Sequence, residues 1–201
     1  MGGGDDGPDG GSARGGGRAD SADRDPGPVR AAATDCGNEY FAVRRGTVER
    51  PDGSTADYYH LDQTDDVAVV ALTDAGELVL GEQYRSRLAD AVPECPAGKC
   101  DDGESPTEAA AREVGEETGY RPGCVERLRA YHASGWERNR HHVLLATDLT
   151  AGSPARDAGG AEPTVRELPA ERATERARAP EPPVAGWLLT PLLVARDEGL
   201  L

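Results

Sequence analysis

The sequence predicts an α+β domain over residues 38–201 behind a tail at residues 1–37, and three observations carry that reading. Short apolar or alternating runs are punctuated by Gly, Pro and Asp. One mid-chain helix has explicit start and stop signals. The opening stretch, MGGGDDGPDGGSARGGGRADSADRDPGPVRAAATD, has almost no large apolar side chain, so it cannot bury enough surface to offset the entropy of ordering it.

From residue 38 the elements follow in order. EYFAVRRGTVERPDGSTADYYHL reads as two strands around PDGS, where Pro51, Asp52 and Gly53 supply turn dihedrals. VAVVALTDAGELVLGEQYR reads as a second hairpin: an apolar strand over 67–72, a turn at DAG, and a strand over 77–85. A helix over 106–118 is next. Further strands are expected at VERLRAYHA, HHVLLATDL and TVREL, and PAERATERARAPEPP reads as a solvated helix and linker. PLLVARDEGLL closes the chain as a helix, with Thr190 as its cap and Pro191 in its first turn.

Composition excludes several classes. Acids number 37 against 22 lysines and arginines, a net charge of −15, and Lys99 is the single lysine. Such a surface repels nucleic acid, so SARGGGR in the tail is read as a solvated linker. No apolar run approaches the ~18 residues of a membrane span, and no secretion signal opens the chain. A soluble cytoplasmic protein with no membrane or nucleic-acid partner is expected. Cys36, Cys95, Cys100 and Cys124 form no C-x-x-C pair and are expected as buried, reduced thiols rather than zinc ligands.

The mid-chain helix raises a charge problem. Ser105 and Glu108 make a capping box, Pro106 sits where its missing N–H costs nothing, and Gly119 stops the helix. At roughly 100° per residue, Glu113, Glu116 and Glu117 fall within about a 100° arc of one face. Three like charges there destabilise the helix unless something positive lies between them. A hard divalent cation is the economical candidate, because it takes oxygen ligands and leaves places for water and phosphate. An exposed acidic face is the alternative, but Ala109, Ala110, Ala111 and Val114 supply a packing face and Arg112 an internal orienting cation.

The order of residues then matters. Gly98, Glu104, Arg112, Glu113, Val114, Glu116, Glu117, Gly119 and Tyr120 match the Nudix box G-x5-E-x7-R-E-U-x-E-E-x-G-U, with only Tyr120 departing from its aliphatic last place. EQYR, ECPAGK and HHVLLATDL extend the similarity, and residues 38–201 resemble the ADP-ribose pyrophosphatase branch of Nudix hydrolases. The resemblance implies an α/β/α sandwich with a mixed sheet and a loop–helix–loop box. It implies hydrolysis of a nucleoside diphosphate linked to another moiety, most simply ADP-ribose or a related nucleotide sugar, with release of a nucleoside monophosphate. A homodimer is implied as well.

Carried over by position, Glu113, Glu116, Glu117 and the Ala97 carbonyl would bind Mg²⁺ or Mn²⁺. Arg112, paired with Glu104 or a helix glutamate, would fix the carboxylates, and Gly98 would give a tight backbone path beside metal and phosphate. Glu162, in a Gly/Pro-rich loop, is the chosen general base, with Glu137, Glu167 and Glu116 as rivals. Arg85 can hold a ribose or phosphate by its fork of donors, and Ser134 stands where the branch commonly has the proline of SPG. Trp136 can stack on a base or pack as an ordinary aromatic, and His132, His141 and His142 read as strand and loop residues rather than ligands. Two other readings stay open at this point: a non-catalytic nucleotide-sugar sensor, and a hydrolase of nucleoside triphosphates.

Overall fold

The computed structural model describes residues 29–86, 88–153, 164–178 and 186–201. The described residues divide into two compact units, one formed by residues 29–32 with 46–58 and the other by the described residues of 33–45 and 59–201.

Three strands come first: β1 (Val29–Gly37), β2 (Ala42–Glu49) and β3 (Thr55–Asp62), hydrogen-bonded in that order. Strand β1 corrects the expected boundary, because residues 29–37 were assigned to the tail. Its side chains are exposed throughout, so burial does not form it. Pairing to β2 does, together with polar contacts. In the first unit Arg30 donates to Glu49 at 2.8 Å; in the second Arg44 donates to Thr34 at 2.6 Å and Arg45 to Asp35 at 3.2 Å. The PDGS turn stands as expected: Gly53 has φ 80°, and Asp52 accepts from the Ser54 amide and hydroxyl.

The second unit holds the core. Its strands are β4 (Asp66–Ala71), β5 (Glu77–Arg85), β6 (Asp90–Glu94), β7 (Ala97–Lys99), β8 (Tyr120–Arg121), β9 (Cys124–Tyr131), β10 (His141–Thr147), β11 (Thr150–Ala151) and β12 (Thr164–Pro169). One sheet runs β7-β4-β10-β9, with β4 and β10 parallel and the other pairs antiparallel; another runs β12-β5-β6, and β11 pairs β8.

The expected second hairpin is therefore not one. Strands β4 and β5 are joined by the turn at Gly76, but their strand pairing goes no further than an isolated Leu72–Leu78 bridge before they enter different sheets. Both are largely buried, so each needs covered faces and strand neighbours on both edges, which a two-stranded ribbon does not provide.

Three helices complete the unit: α1 (Pro106–Thr118), α2 (Ala170–Arg178) and α3 (Gly186–Asp197). Alternation along β4 and β10 sorts the core into two layers. Val67, Val69, Leu144 and Ala146 pack with Ala109, Ala110 and Val114 of α1. Val70, Val143 and Leu145 pack with Ala173, Leu188 and Leu192 of α2 and α3. This is an α/β/α sandwich.

Helix α3 starts before the expected cap, and Pro191 lies inside it. A proline there leaves the carbonyl four residues earlier without its helical donor. That carbonyl belongs to Trp187, and the Cys95 amide donates to it at 3.1 Å. The local defect in α3 thereby stitches the helix to the end of β6. Helix α2 is only partly solvated, since Ala173 and Ala177 are buried; residues 179–185 lie outside the described residues. All four cysteines are free, but only Cys95 and Cys100 are buried; Cys36 is exposed because β1 is.

Candidate active site

The site is built where β7 runs into α1. Ser105 caps the helix, accepting from the Glu108 amide at 3.3 Å while the Glu108 carboxylate accepts from the Ser105 amide at 2.9 Å. Gly119, at φ 78°, ends it with an amide donated to Gly115 at 3.0 Å. These signals fix the helix in phase, with Glu113 buried inward and Glu116 and Glu117 beside it.

Arg112 organises the acids. Its Nε and Nη2 each donate to Glu104 at 2.9 Å, a two-point fork. Nη2 also donates to the Lys99 carbonyl at 2.8 Å, and Nη1 to Glu113 at 2.8 Å and to Glu116 at 3.5 Å. One guanidinium therefore ties strand, loop and helix together. Arg112 also holds the Glu104 carboxyl below its usual acid range, helped by the Asp101 amide.

Glu113 behaves oppositely. Burial pushes its carboxyl up to about 7 against the pull of Arg112, and Glu117 and Glu116 push the same way. The ionised form is thus under-compensated where it sits. Its seat is the backbone of Gly98: a Cβ built there would overlap the Glu113 carboxylate. Glu117 accepts from the Ala97 amide at 3.1 Å, which brings the opposite end of the box to the same strand.

Arg85, at the end of β5, lies on this side as well. It donates to Glu94 from Nε at 3.0 Å and makes a second contact from Nη2, and it lies within electrostatic reach of Glu117. Glu94 is buried and was missed from sequence. Its signal was an acid in an otherwise apolar run, AVPECPAG, just ahead of the box; a buried carboxylate needs a cation, and QYR supplies one across the β5–β6 pair.

The remaining predicted residues scatter. Ser134 accepts from the Trp136 amide at 3.1 Å, and among the described residues no hydrogen bond or ion pair joins it to the box. Trp136 is exposed. Glu162 lies outside the described residues. Of its rivals, Glu167 accepts from the Tyr120 hydroxyl at 2.6 Å, and Glu137 lies 2.9 Å from His141 Nε2. His141 also lies 2.7 Å from Asp66, His142 is 3.0 Å from Asp65, and His132 is 2.9 Å from the Asn139 carbonyl. The histidines serve the strand ends and loop, as expected. Tyr120, the one departure from the box pattern, uses its hydroxyl to bind β12.

A hard divalent cation fits this donor set. Among the described residues no three His, Cys, Asp or Glu side chains converge tightly enough to chelate an ion unaided; Arg112 and the Ala97 amide hold the box acids instead. The chemistry nevertheless suits one: the available donors are oxygens, and the innermost carboxylate is buried and under-compensated. That carboxylate also lies against a backbone stripped of its Cβ, leaving it close to the Ala97–Gly98 peptide.

Fold and site together define an α/β/α class with a glutamate-rich loop–helix–loop. The NUDIX domain model matches residues 62–188, and the chain belongs to that family. Among its relatives, an ADP-ribose pyrophosphatase of Mycobacterium tuberculosis is 33% identical over 139 residues, 68% of this chain and 67% of that one. An ADP-ribose pyrophosphatase of Bacillus subtilis is 36% identical over 104 residues, 51% of this chain and 56% of that one. A CMP-5'-(N-acetyl-N-hydroxy-3-aminopropyl)phosphonate hydrolase of Streptomyces rubellomurinus is 35% identical over 57% of each chain. The chain thus spans little more than half the length of several curated relatives. A crystal structure of an ADP compounds hydrolase superposes with a TM-score of 0.71 at 19% identity, covering 87% of this chain and 96% of that one, a likeness of fold.

Proposed function

We propose that the chain is a divalent-metal-dependent pyrophosphohydrolase that cleaves a nucleoside diphosphate linked to a second moiety, ADP-ribose or a related nucleotide sugar, releasing a nucleoside monophosphate. The observation that carries this is Glu113, buried against Gly98 and gripped by Arg112, with Glu116 and Glu117 on the same helix face. The names of the relatives support the substrate class.

Glu113, Glu116, Glu117 and the Ala97 carbonyl would hold Mg²⁺ or Mn²⁺. Bound there, the ion supplies charge neutralisation at the pyrophosphate and a more acidic water. Arg112 keeps the carboxylates aimed while its own charge is spent on Glu104 and the Lys99 carbonyl. Arg85, braced by Glu94, offers donors to a phosphate or ribose, and Gly98 lets the backbone approach the anion. Glu162 is our choice of general base. Glu116 is the alternative within the box, being partly exposed with only a long contact from Arg112. Ser134 is assigned to the substrate moiety beyond the diphosphate.

The reading extends to a cytoplasmic homodimer. Strand β1 is an exposed edge strand, and pairing with a second copy would cover it. No helix among the described residues is long and apolar enough to cross a membrane.

A product panel tests the function. ADP-ribose, GDP-mannose, NADH, diadenosine polyphosphates and nucleoside triphosphates are each incubated with Mg²⁺ and Mn²⁺ and separated by ion-exchange chromatography. We expect AMP and ribose 5-phosphate from ADP-ribose; turnover of triphosphates alone would overturn the substrate class.

A further inference from the structure

The second unit carries an arginine-lined groove that the proposed reaction does not use. It occupies about 620 Å³ along β9 and is lined by Arg127, Arg129, Arg140, His132 and Tyr131, with no carboxylate in its wall. In a chain with 37 acids against 22 bases that is a local inversion of charge. A groove of similar size on β12 and α2 shows what the rest of the surface does: Arg166 there donates to Glu82 at 2.9 Å, and Arg172 to Glu175 at 3.4 Å. Along β9, only Arg129 is neutralised, by Glu198 at 2.8 Å and Asp197 at 3.4 Å. Arg127 and Arg140 are exposed and form no ion pair among the described residues.

The groove is also separate from the box. Strand order places β9 at one edge of the sheet and β7, which carries Gly98, at the other. Charged side chains on an edge strand can serve simply to discourage pairing with another chain, for which either sign suffices. Three guanidinium groups around one concavity, two of them without an ion pair among the described residues, do more: planar forks match phosphoryl oxygens, and several together favour a ligand with several phosphates over one with a single phosphate.

We propose that this groove is a binding site for a multivalent phosphate, either an inorganic polyphosphate chain or the polyphosphate tail of a nucleotide, distinct from the hydrolytic site. The experiment is isothermal titration of the full chain in EDTA, so that the box holds no metal, with tripolyphosphate, ATP and orthophosphate. Tripolyphosphate should bind saturably below about 1 mM and orthophosphate at least about tenfold more weakly. Equal affinity for ATP and tripolyphosphate means that the phosphate chain alone is read; tighter ATP binding means that the source is a nucleotide. Replacing Arg127→Gln and Arg140→Gln together should weaken tripolyphosphate about tenfold or more, with circular dichroism unchanged. Arg172→Gln, in the acid-neutralised groove, should leave it unchanged. Absence of saturable binding, or equal affinity in the Arg127→Gln/Arg140→Gln variant, would overturn the proposal, as would binding confined to a single-stranded DNA oligonucleotide.

Discussion

Replacing Gly98 by alanine probes the contact on which the site is built. The new Cβ would occupy the position of the Glu113 carboxylate, so that carboxylate has to leave. The backbone is not the obstacle, because Gly98 is not among the positive-φ residues. Displacement breaks the Arg112 Nη1 contact at 2.8 Å, a hydrogen bond with both partners ionised, whose loss costs roughly 2 kcal/mol. For a domain of this size that lowers the melting temperature by about 4–8 °C. Differential scanning fluorimetry reads the shift, and a double-mutant cycle isolates its cause. In a Glu113→Ala background the substitution should cost only a few tenths of a kcal/mol, because nothing remains to displace. An equal melting shift with and without the Glu113 side chain would refute the reasoning.

Four further outcomes follow from the same geometry. Arg112→Lys keeps the charge but loses the fork to Glu104, so it should destabilise by about 1–3 kcal/mol and lower ADP-ribose turnover more than tenfold, measured by urea unfolding and initial rates. Tyr120→Phe should cost only about 0.5–1 kcal/mol in the same unfolding assay, since its bond to Glu167 is exposed. Pro191→Ala should gain little, within about 1 kcal/mol, because the Trp187 carbonyl that a new N–H would seek is already taken by Cys95. Burial pushes the Asp66 carboxyl up to about 6, so the folded chain holds a proton that the unfolded chain releases near 4. This group's stabilisation is therefore present at acid pH and lost as pH rises through about 6, by of order 2 kcal/mol, and Asp66→Asn should remove that slope from urea unfolding at pH 4.5 and pH 7.

How much of this was legible in the sequence depends on the range of the interaction. The box helix was fully readable, because its caps at Ser105, Glu108 and Gly119 and its acid spacing are local. For Arg112 the sequence left two partners open, Glu104 or a helix glutamate, and the fold uses both, since one guanidinium reaches Glu104, Glu113 and Glu116. What escaped was non-local pairing. VAVVALTDAGELVL has the look of a hairpin, yet burial of both strands sends them to different sheets. Strand β1 has Val29 as its one large apolar residue and buries none of its side chains, so its pairing to β2 holds it. Pro191 resembled a first-turn proline because the Cys95 amide that satisfies Trp187 is remote in sequence. Glu94 carries no local signal of its partner, because Arg85 reaches it across the sheet, and the rival general bases Glu137 and Glu167 lie against His141 and Tyr120, contacts that sequence spacing does not reveal.

The central claim is that the box glutamates hold a divalent ion against a diphosphate bridge, and a single substitution tests it. Wild-type chain and Glu117→Gln are assayed side by side for AMP release from ADP-ribose with Mg²⁺, with manganese binding followed by electron paramagnetic resonance. Loss of both turnover and tight manganese binding, at an unchanged melting temperature, is the predicted result; a variant that keeps wild-type turnover would contradict it.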